Sequence, residues 1–141
     1  MSTLERAIAI AATAPAGQRD KANAPYILHP LRVMLRAASE SECITALLHD
    51  VVEDCAGWWF ERLLEEGSAD IIDALKSVTK REAEAYEDFV RRACENSIDR
   101  RVKRSDLHDN CHLSRISNPT ANDHERIVRY RRAIAYIESL P

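Results

Sequence analysis

Between Ala46 and Asp54 the chain reads Ala46-Leu47-Leu48-His49-Asp50-Val51-Val52-Glu53-Asp54. This places one imidazole and three carboxylates within six residues, with no Lys or Arg among them. Taken as one continuous helix at about 100° per residue, Leu47, Leu48, Val51 and Val52 fall on one side, with Ile44 from the preceding turn. His49, Asp50, Glu53 and Asp54 gather in an arc of roughly 140° on the other. Acids packed this closely repel one another. A solvated helix face relieves such repulsion with a basic residue one turn away, and here there is none. A solvated acidic face is one outcome. The other is a divalent cation, which would supply the missing positive charge.

Two further stretches carry ligand-type side chains. In Tyr26-Ile27-Leu28-His29-Pro30-Leu31-Arg32, Pro30 suits the first turn of a helix. His29 therefore stands at a helix entrance, its direction set by a stiff residue behind it. In Ile98 to Leu113, Ile98, Val102, Ser105 and Leu113 share one helix face. Asp106 and Asn110, four apart, project together at its edge. Asp99 lies on the same side, and Lys103 is close. Without a metal, Asp106 reads as a surface carboxylate capped by Arg101 or Arg104.

The remaining elements must bring these stretches together. An apolar stripe of Leu4, Ala7, Ile8 and Ala11 predicts a helix from Leu4 to Ala14, stopped by Pro15 and Gly17. Residues 18 to 25 form a polar loop. The His29 helix is expected to reach Ala38, burying Leu31, Met34 and Leu35. Further helices are expected over Trp58 to Glu66, Ala69 to Thr79 and Glu82 to Asn96. The last should begin near Thr120, which with Asp123 resembles a capping box, and bury Ile127, Tyr130, Ile134 and Ile137. No period of two persists, and only 3 Gly and 5 Pro punctuate the chain. The expectation is one all-α domain over residues 1–141.

Composition bounds the function. With 45% hydrophobic and 30% charged residues, the chain can bury a core and stay soluble. A net charge of −3 argues against general nucleic-acid binding, since there is no basic excess to release counterions. No apolar run is long enough to span a membrane and no signal peptide opens the chain. Cys43, Cys55, Cys94 and Cys111 form no C-x-x-C pair and read as reduced cysteines of an intracellular protein. The cytoplasm is the expected location. The oligomeric state stays open.

The order His29, His49-Asp50, Asp106 resembles the H…HD…D pattern of the HD superfamily of metal-dependent phosphohydrolases. Three blocks carry the likeness further: Pro25 to Pro30, Ala46 to Asp54, and Val102-Lys103-Arg104-Ser105-Asp106-Leu107-His108-Asp109-Asn110. They are similar to the RelA/SpoT-type hydrolase domain, above all its small stand-alone alarmone hydrolases. Gln18 to Lys21 and Arg129-Tyr130-Arg131-Arg132-Ala133 extend the resemblance over nearly the whole chain. It implies an HD-type helical bundle and a Mn²⁺-dependent enzyme that removes the 3′-pyrophosphate of (p)ppGpp. By the same resemblance, His29, His49, Asp50 and Asp106 would be the metal ligands, with Glu53 and Asp54 the acid–base pair. Asn110, Lys21 and Tyr26 would contact the nucleotide. Of the basic run Arg100, Arg101, Lys103 and Arg104, Lys103 is the one expected at a phosphate. The larger members have a basic residue where Asp20 stands, and members often have a His at the place of Pro15 and a Gly where Asn23 stands.

The chemistry agrees with that likeness. Two imidazoles and two carboxylates suit a borderline ion such as Mn²⁺ and leave positions open. A nearby carboxylate can accept a proton from the attacking water. Two other readings keep the fold: a metal-dependent phosphohydrolase of another nucleotide, for instance NADPH or a nucleoside phosphate, or a binding module that has lost its chemistry. Intact Glu53 and Asp54 weigh against the last. His108, His112 and His124 sit among polar neighbours and are expected to play no part.

Overall fold

The structure, a computed structural model, describes residues 3–141. Among these residues there is no strand, only one isolated bridge between Arg19 and Pro25. The regular elements are helices joined by turns and loops. The elements are α1 (Leu4–Thr13), α2 (Leu28–Met34), α3 (Glu40–Leu48), α4 (Val51–Asp54), α5 (Phe60–Glu65), α6 (Ile72–Val78), α7 (Tyr86–Ala93), α8 (Ser97–Asn110), a 3₁₀ turn (Leu113–Arg115) and α9 (Ala121–Ser139). No helix among the described residues is long and apolar enough to cross a membrane.

Local sequence explains the starts of four helices. The Thr3, Ser39 and Asn96 side chains accept N–H groups in the first turns of α1, α3 and α8. Thr120 and Asp123 close a reciprocal capping box on α9.

Packing holds the ligand-bearing helices through a small apolar contact. Val33, Ala46 and Val102, each 1–3% exposed, meet where α2, α3 and α8 come together. Val33 lies one turn after His29, Ala46 one turn before His49, and Val102 one turn before Asp106. Burying such side chains contributes roughly 1.5–3 kcal/mol per valine, and it fixes the three ligands relative to one another. Two larger clusters flank this contact. Ala7, Ile10 and Ala11 of α1 pack with Ile44, Leu47 and Leu48 of α3 and Leu63 of α5. Val90, Leu107, Ile134 and Ile137 join α7, α8 and α9.

Several expected boundaries move inward. The helix around His49 is not continuous: α3 ends at Leu48, the chain turns through His49 and Asp50, and α4 restarts at Val51. The His49 ring takes the Ala46 carbonyl at 2.6 Å, an acceptor an unbroken helix would use for its own ladder. Asp50, at φ −101° and ψ −2°, turns the chain. As a result Val51 is buried while Val52 is only half-buried. The His29 helix stops at Met34 rather than Ala38. Leu35, expected in its buried stripe, is 77% exposed, and Val33 takes the inward position. The segment before Tyr86 is not helical, and Ala83 there takes φ 57°. The helix expected from Ile98 to Leu113 ends at Asn110, and Leu113 belongs to the 3₁₀ turn.

Candidate metal centre and active site

Four ligand-type atoms converge. One each from His29, His49, Asp50 and Asp106 lie within 4.8 Å of one another, enough to hold a metal ion. His29 Nε2 is 3.2 Å from Asp106 Oδ1, 3.4 Å from Asp50 Oδ2 and 3.3 Å from His49 Nε2. His49 Nε2 is 3.0 Å from Asp50 Oδ2 and 3.5 Å from Asp106 Oδ1. His29, His49 and Asp106 are buried, and Asp50 is half-buried. The turn at His49 and Asp50 puts consecutive residues on one point, which a regular helix, rotating about 100° per residue, would set apart.

Electrostatics states the same need for positive charge. Burial alone would lower the His29 pKa, but hydrogen bonds to Asp106, Asp109 and Asp50 outweigh it and push it up to about 12. For His49, burial is likewise outweighed by the Asp50 charge and by hydrogen bonds to Asp106 and Asp50, giving about 10. Asp106 is held well below the usual range against burial, chiefly by Lys103. The carboxylates retain cations in place. A divalent ion bound to neutral imidazoles would supply that charge in their stead.

The remaining predicted residues surround a cavity of about 670 Å³ that borders this cluster, within the usual range for a small-molecule site. Tyr26 places its hydroxyl 2.9 Å from Asp50 Oδ2 and 2.8 Å from Asp54 Oδ2. With one proton to donate, it serves one carboxylate at a time. Glu53 and Asp54 both line the cavity. Burial raises the pKa of each, Asp50 adding to the effect at Asp54. Asn110 Nδ2 donates to Asp106 Oδ1 at 2.7 Å, and Lys103 Nζ donates to Asp106 Oδ2 at 2.8 Å. Lys103 is buried, with its ammonium 4.5 Å from the Phe89 ring centroid. Its charge is therefore engaged with Asp106 as well as bordering the cavity. Arg101 and Arg104, the alternative caps for Asp106, pair instead with Glu42 and Glu138.

Lys21 is exposed and lines the cavity. Its pKa is lowered by partial burial and then by Arg126, with Arg129 also contributing. The loop carrying it is closed on itself. Asp20 Oδ1 accepts the N–H groups of Ala22 and Ala24, both at 2.9 Å. Gln18 Nε2 reaches the Asp54 carbonyl at 2.9 Å. Asn23 takes φ 60°, a left-handed conformation that Gly adopts freely and Asn tolerates. Asp20 is spent on its own loop instead of standing as a bare charge.

Sequence reading passed over Asp109, Arg32 and Arg115. Asp109 is 1% exposed and accepts from His29 Nδ1 at 2.7 Å, Arg32 Nε at 2.7 Å and Arg115 at 3.0 Å. Burial would raise its pKa, but these three donors hold it well below the carboxylate range. The one signal in the sequence was the arginine three residues after His29. Tyr86, Arg126, Arg129 and Tyr130 also line the cavity. Of the other histidines, His108 faces Glu138 at 3.5 Å, while His112 borders the cavity.

No protein-family model matches the sequence, and no curated protein sequence matches it. Among solved structures, the chain is similar to that of a metazoan orthologue of SpoT, a protein described as hydrolysing ppGpp and playing a role in starvation responses. The TM-score is 0.78 at 21% identity, over 99% of this chain and 86% of that one. The likeness is one of fold, the all-helical arrangement described above.

Proposed function

We propose that residues 1–141 form a single metal-dependent phosphohydrolase domain, acting in the cytoplasm on a small nucleotide. The substrate we assign is guanosine 3′,5′-bis(diphosphate), hydrolysed with Mn²⁺ to GDP and pyrophosphate. One observation carries this reading: four ligand atoms lie within 4.8 Å of one another, beside a cavity lined by Glu53 and Asp54 and by Lys21, Arg126 and Arg129. The shared fold with a ppGpp-hydrolysing protein supports the choice of substrate.

His29, His49, Asp50 and Asp106 would hold the ion. Their mixed nitrogen and oxygen set fits Mn²⁺. When bound, it supplies Lewis-acid polarisation and screens phosphate charge. The chain's own residues do the rest. Glu53 and Asp54 are the proton carriers: one accepts a proton as water attacks phosphorus, and one returns a proton to the departing 3′ oxygen. Neighbouring carboxylates share protons, so the pair acts as a unit. Tyr26 steadies Asp54 or Asp50 through its single hydroxyl proton. Lys103 and Asn110 fix Asp106. Lys21, with Arg126 and Arg129 near it, offers positive charge to the nucleotide phosphates.

The test is a Mn²⁺-supplemented hydrolysis panel that sets ppGpp beside NADPH and nucleoside phosphates, with products identified. Release of pyrophosphate and GDP from ppGpp is expected. Orthophosphate release from another nucleotide, with ppGpp untouched, would replace this substrate while keeping the metal chemistry.

A further inference from the structure

The two imidazoles of the cluster are oriented by different kinds of partner. His49 turns Nε2 to the cluster and directs Nδ1 at the Ala46 carbonyl, 2.6 Å away in the preceding turn. That acceptor is neutral and comes from the same stretch of chain. His29 also turns Nε2 to the cluster, but its Nδ1 meets Asp109 Oδ2 at 2.7 Å. Asp109 belongs to α8, three residues beyond Asp106, and is 1% exposed.

Asp109 is itself held from two sides. Arg32 straddles it, Nε at 2.7 Å from Oδ1 and one terminal nitrogen at 3.0 Å from Oδ2. Arg115, from the 3₁₀ turn, adds contacts of 3.0 Å to Oδ1 and 3.4 Å to Oδ2. A paired fork of this kind fixes the plane of a carboxylate. An ionised carboxylate only accepts, and a guanidinium only donates. Facing such a carboxylate, Nδ1 of His29 must carry the proton. With the ring neutral under a bound ion, its Nε2 would present a lone pair to the cluster.

Resting on the metal-centre reading above, we infer that Asp109 is the positioning residue of that centre. It holds His29 in the Nδ1–H tautomer with Nε2 directed at the ion, and Arg32 and Arg115 hold Asp109 in turn. The arrangement ties α2, which brings His29, to α8, which brings Asp106. A hydrogen-bonded partner behind a ligating imidazole commonly changes metal affinity 10–100-fold when removed. Asp109 touches no reacting atom. Its effect is on where a ligand points.

The test compares wild type with Asp109→Asn, Arg115→Gln and Asp99→Asn. Asp99 is a buried carboxylate on α8 outside the cluster, and serves as the control. Free Mn²⁺ is titrated against each metal-stripped protein by electron paramagnetic resonance, and folding is followed by circular dichroism. Nitrogen-15 spectra of the wild type loaded with a diamagnetic divalent ion report the His29 tautomer. The expected result is about 10–100-fold weaker Mn²⁺ binding in folded Asp109→Asn, a smaller loss in Arg115→Gln, unchanged binding in Asp99→Asn, and a protonated Nδ1 on His29. Equal affinity in wild type and folded Asp109→Asn overturns the inference, as does an Nε2–H tautomer. If Asp109→Asn does not fold, Arg115→Gln and the tautomer decide the matter. A wild type that binds no Mn²⁺ at all instead overturns the metal centre itself, and the inference with it.

Discussion

Glu53 accepts the backbone N–H of Lys80, so one of its oxygens is tied to the segment that follows α6. Asp54, its neighbour, is held instead by the Tyr26 hydroxyl at 2.8 Å. The two carboxylates of the proposed acid–base pair are thus steadied by segments on either side of them in sequence. Gln in place of Glu53 keeps an oxygen for Lys80, and Asn in place of Asp54 keeps an acceptor for Tyr26. Glu53→Gln and Asp54→Asn should therefore fold and retain metal. Each should lose about 10²–10⁴-fold in kcat, the scale of general acid–base catalysis. Steady-state hydrolysis alongside metal content measures both, and near-normal kcat in both variants would remove the pair from the mechanism.

The metal itself should be visible in stability. Four convergent ligands exist together only in the folded chain, so an ion that they hold would bind the native state preferentially. At 100 times its Kd, an ion of this kind adds about 2.7 kcal/mol. Thermal unfolding should therefore shift upward with added Mn²⁺ and fall back with chelator. His49→Ala or Asp106→Ala should abolish both the shift and metal uptake. A melting curve indifferent to Mn²⁺ in wild type would count against the site.

Asp20 secures the Lys21 loop by accepting from Ala22 and Ala24. Asp20→Ala frees that loop without touching the metal ligands. The KM for ppGpp should rise about two- to thirteenfold, the range set by a net loss of one hydrogen bond at ~0.5–1.5 kcal/mol. Mn²⁺ affinity and kcat should stay near wild type. A fall in kcat at unchanged KM would show that the loop acts on chemistry instead of binding.

Asp99 gives a pH-dependent stability. It is 1% exposed, and its Oδ1 has no hydrogen-bond partner. Burial pushes its carboxyl up to about 6, against a weaker opposing hydrogen bond from Ser77. The unfolded chain releases this proton near the ordinary value of 3.8. Between those values the native state binds more protons, so this group lowers stability as pH rises, with the full cost above about 6. Asp99→Asn should stabilise the protein by up to about 3 kcal/mol at pH 7.5, since the rise from 3.8 to about 6 is worth about 1.36 kcal/mol per tenfold change in proton affinity, and by less at pH 5. Urea unfolding of both proteins at the two pH values tests this. A gain independent of pH would refute the titration.

Leu107 follows Asp106 directly and is 1% exposed in the contact among α7, α8 and α9. Leu107→Ala should cost about 2–5 kcal/mol, the range for a buried Leu truncation. Denaturant midpoints report it. A loss under about 1 kcal/mol would mean that the cluster closes over the gap.

The sequence alone determined which residues could meet at a metal and that helices would carry them. Acids without cations, a His behind a stiff Pro, and an i, i+4 pair of Asp and Asn are local signals, set by residue type and spacing. The helical character of the chain and the capping box at Thr120 were legible for the same reason. Only tertiary structure decided where ligand atoms converge. The turn at His49 and Asp50 depends on a side chain claiming the Ala46 carbonyl, which no periodicity encodes. Leu35 faces solvent and Val33 faces inward because α2 packs on Ala46 and Val102, residues distant in sequence. Asp109 read as one more polar residue near the end of α8. Its partners are 80 and 77 residues earlier and six later, so its role exists only once α2 and α8 are side by side.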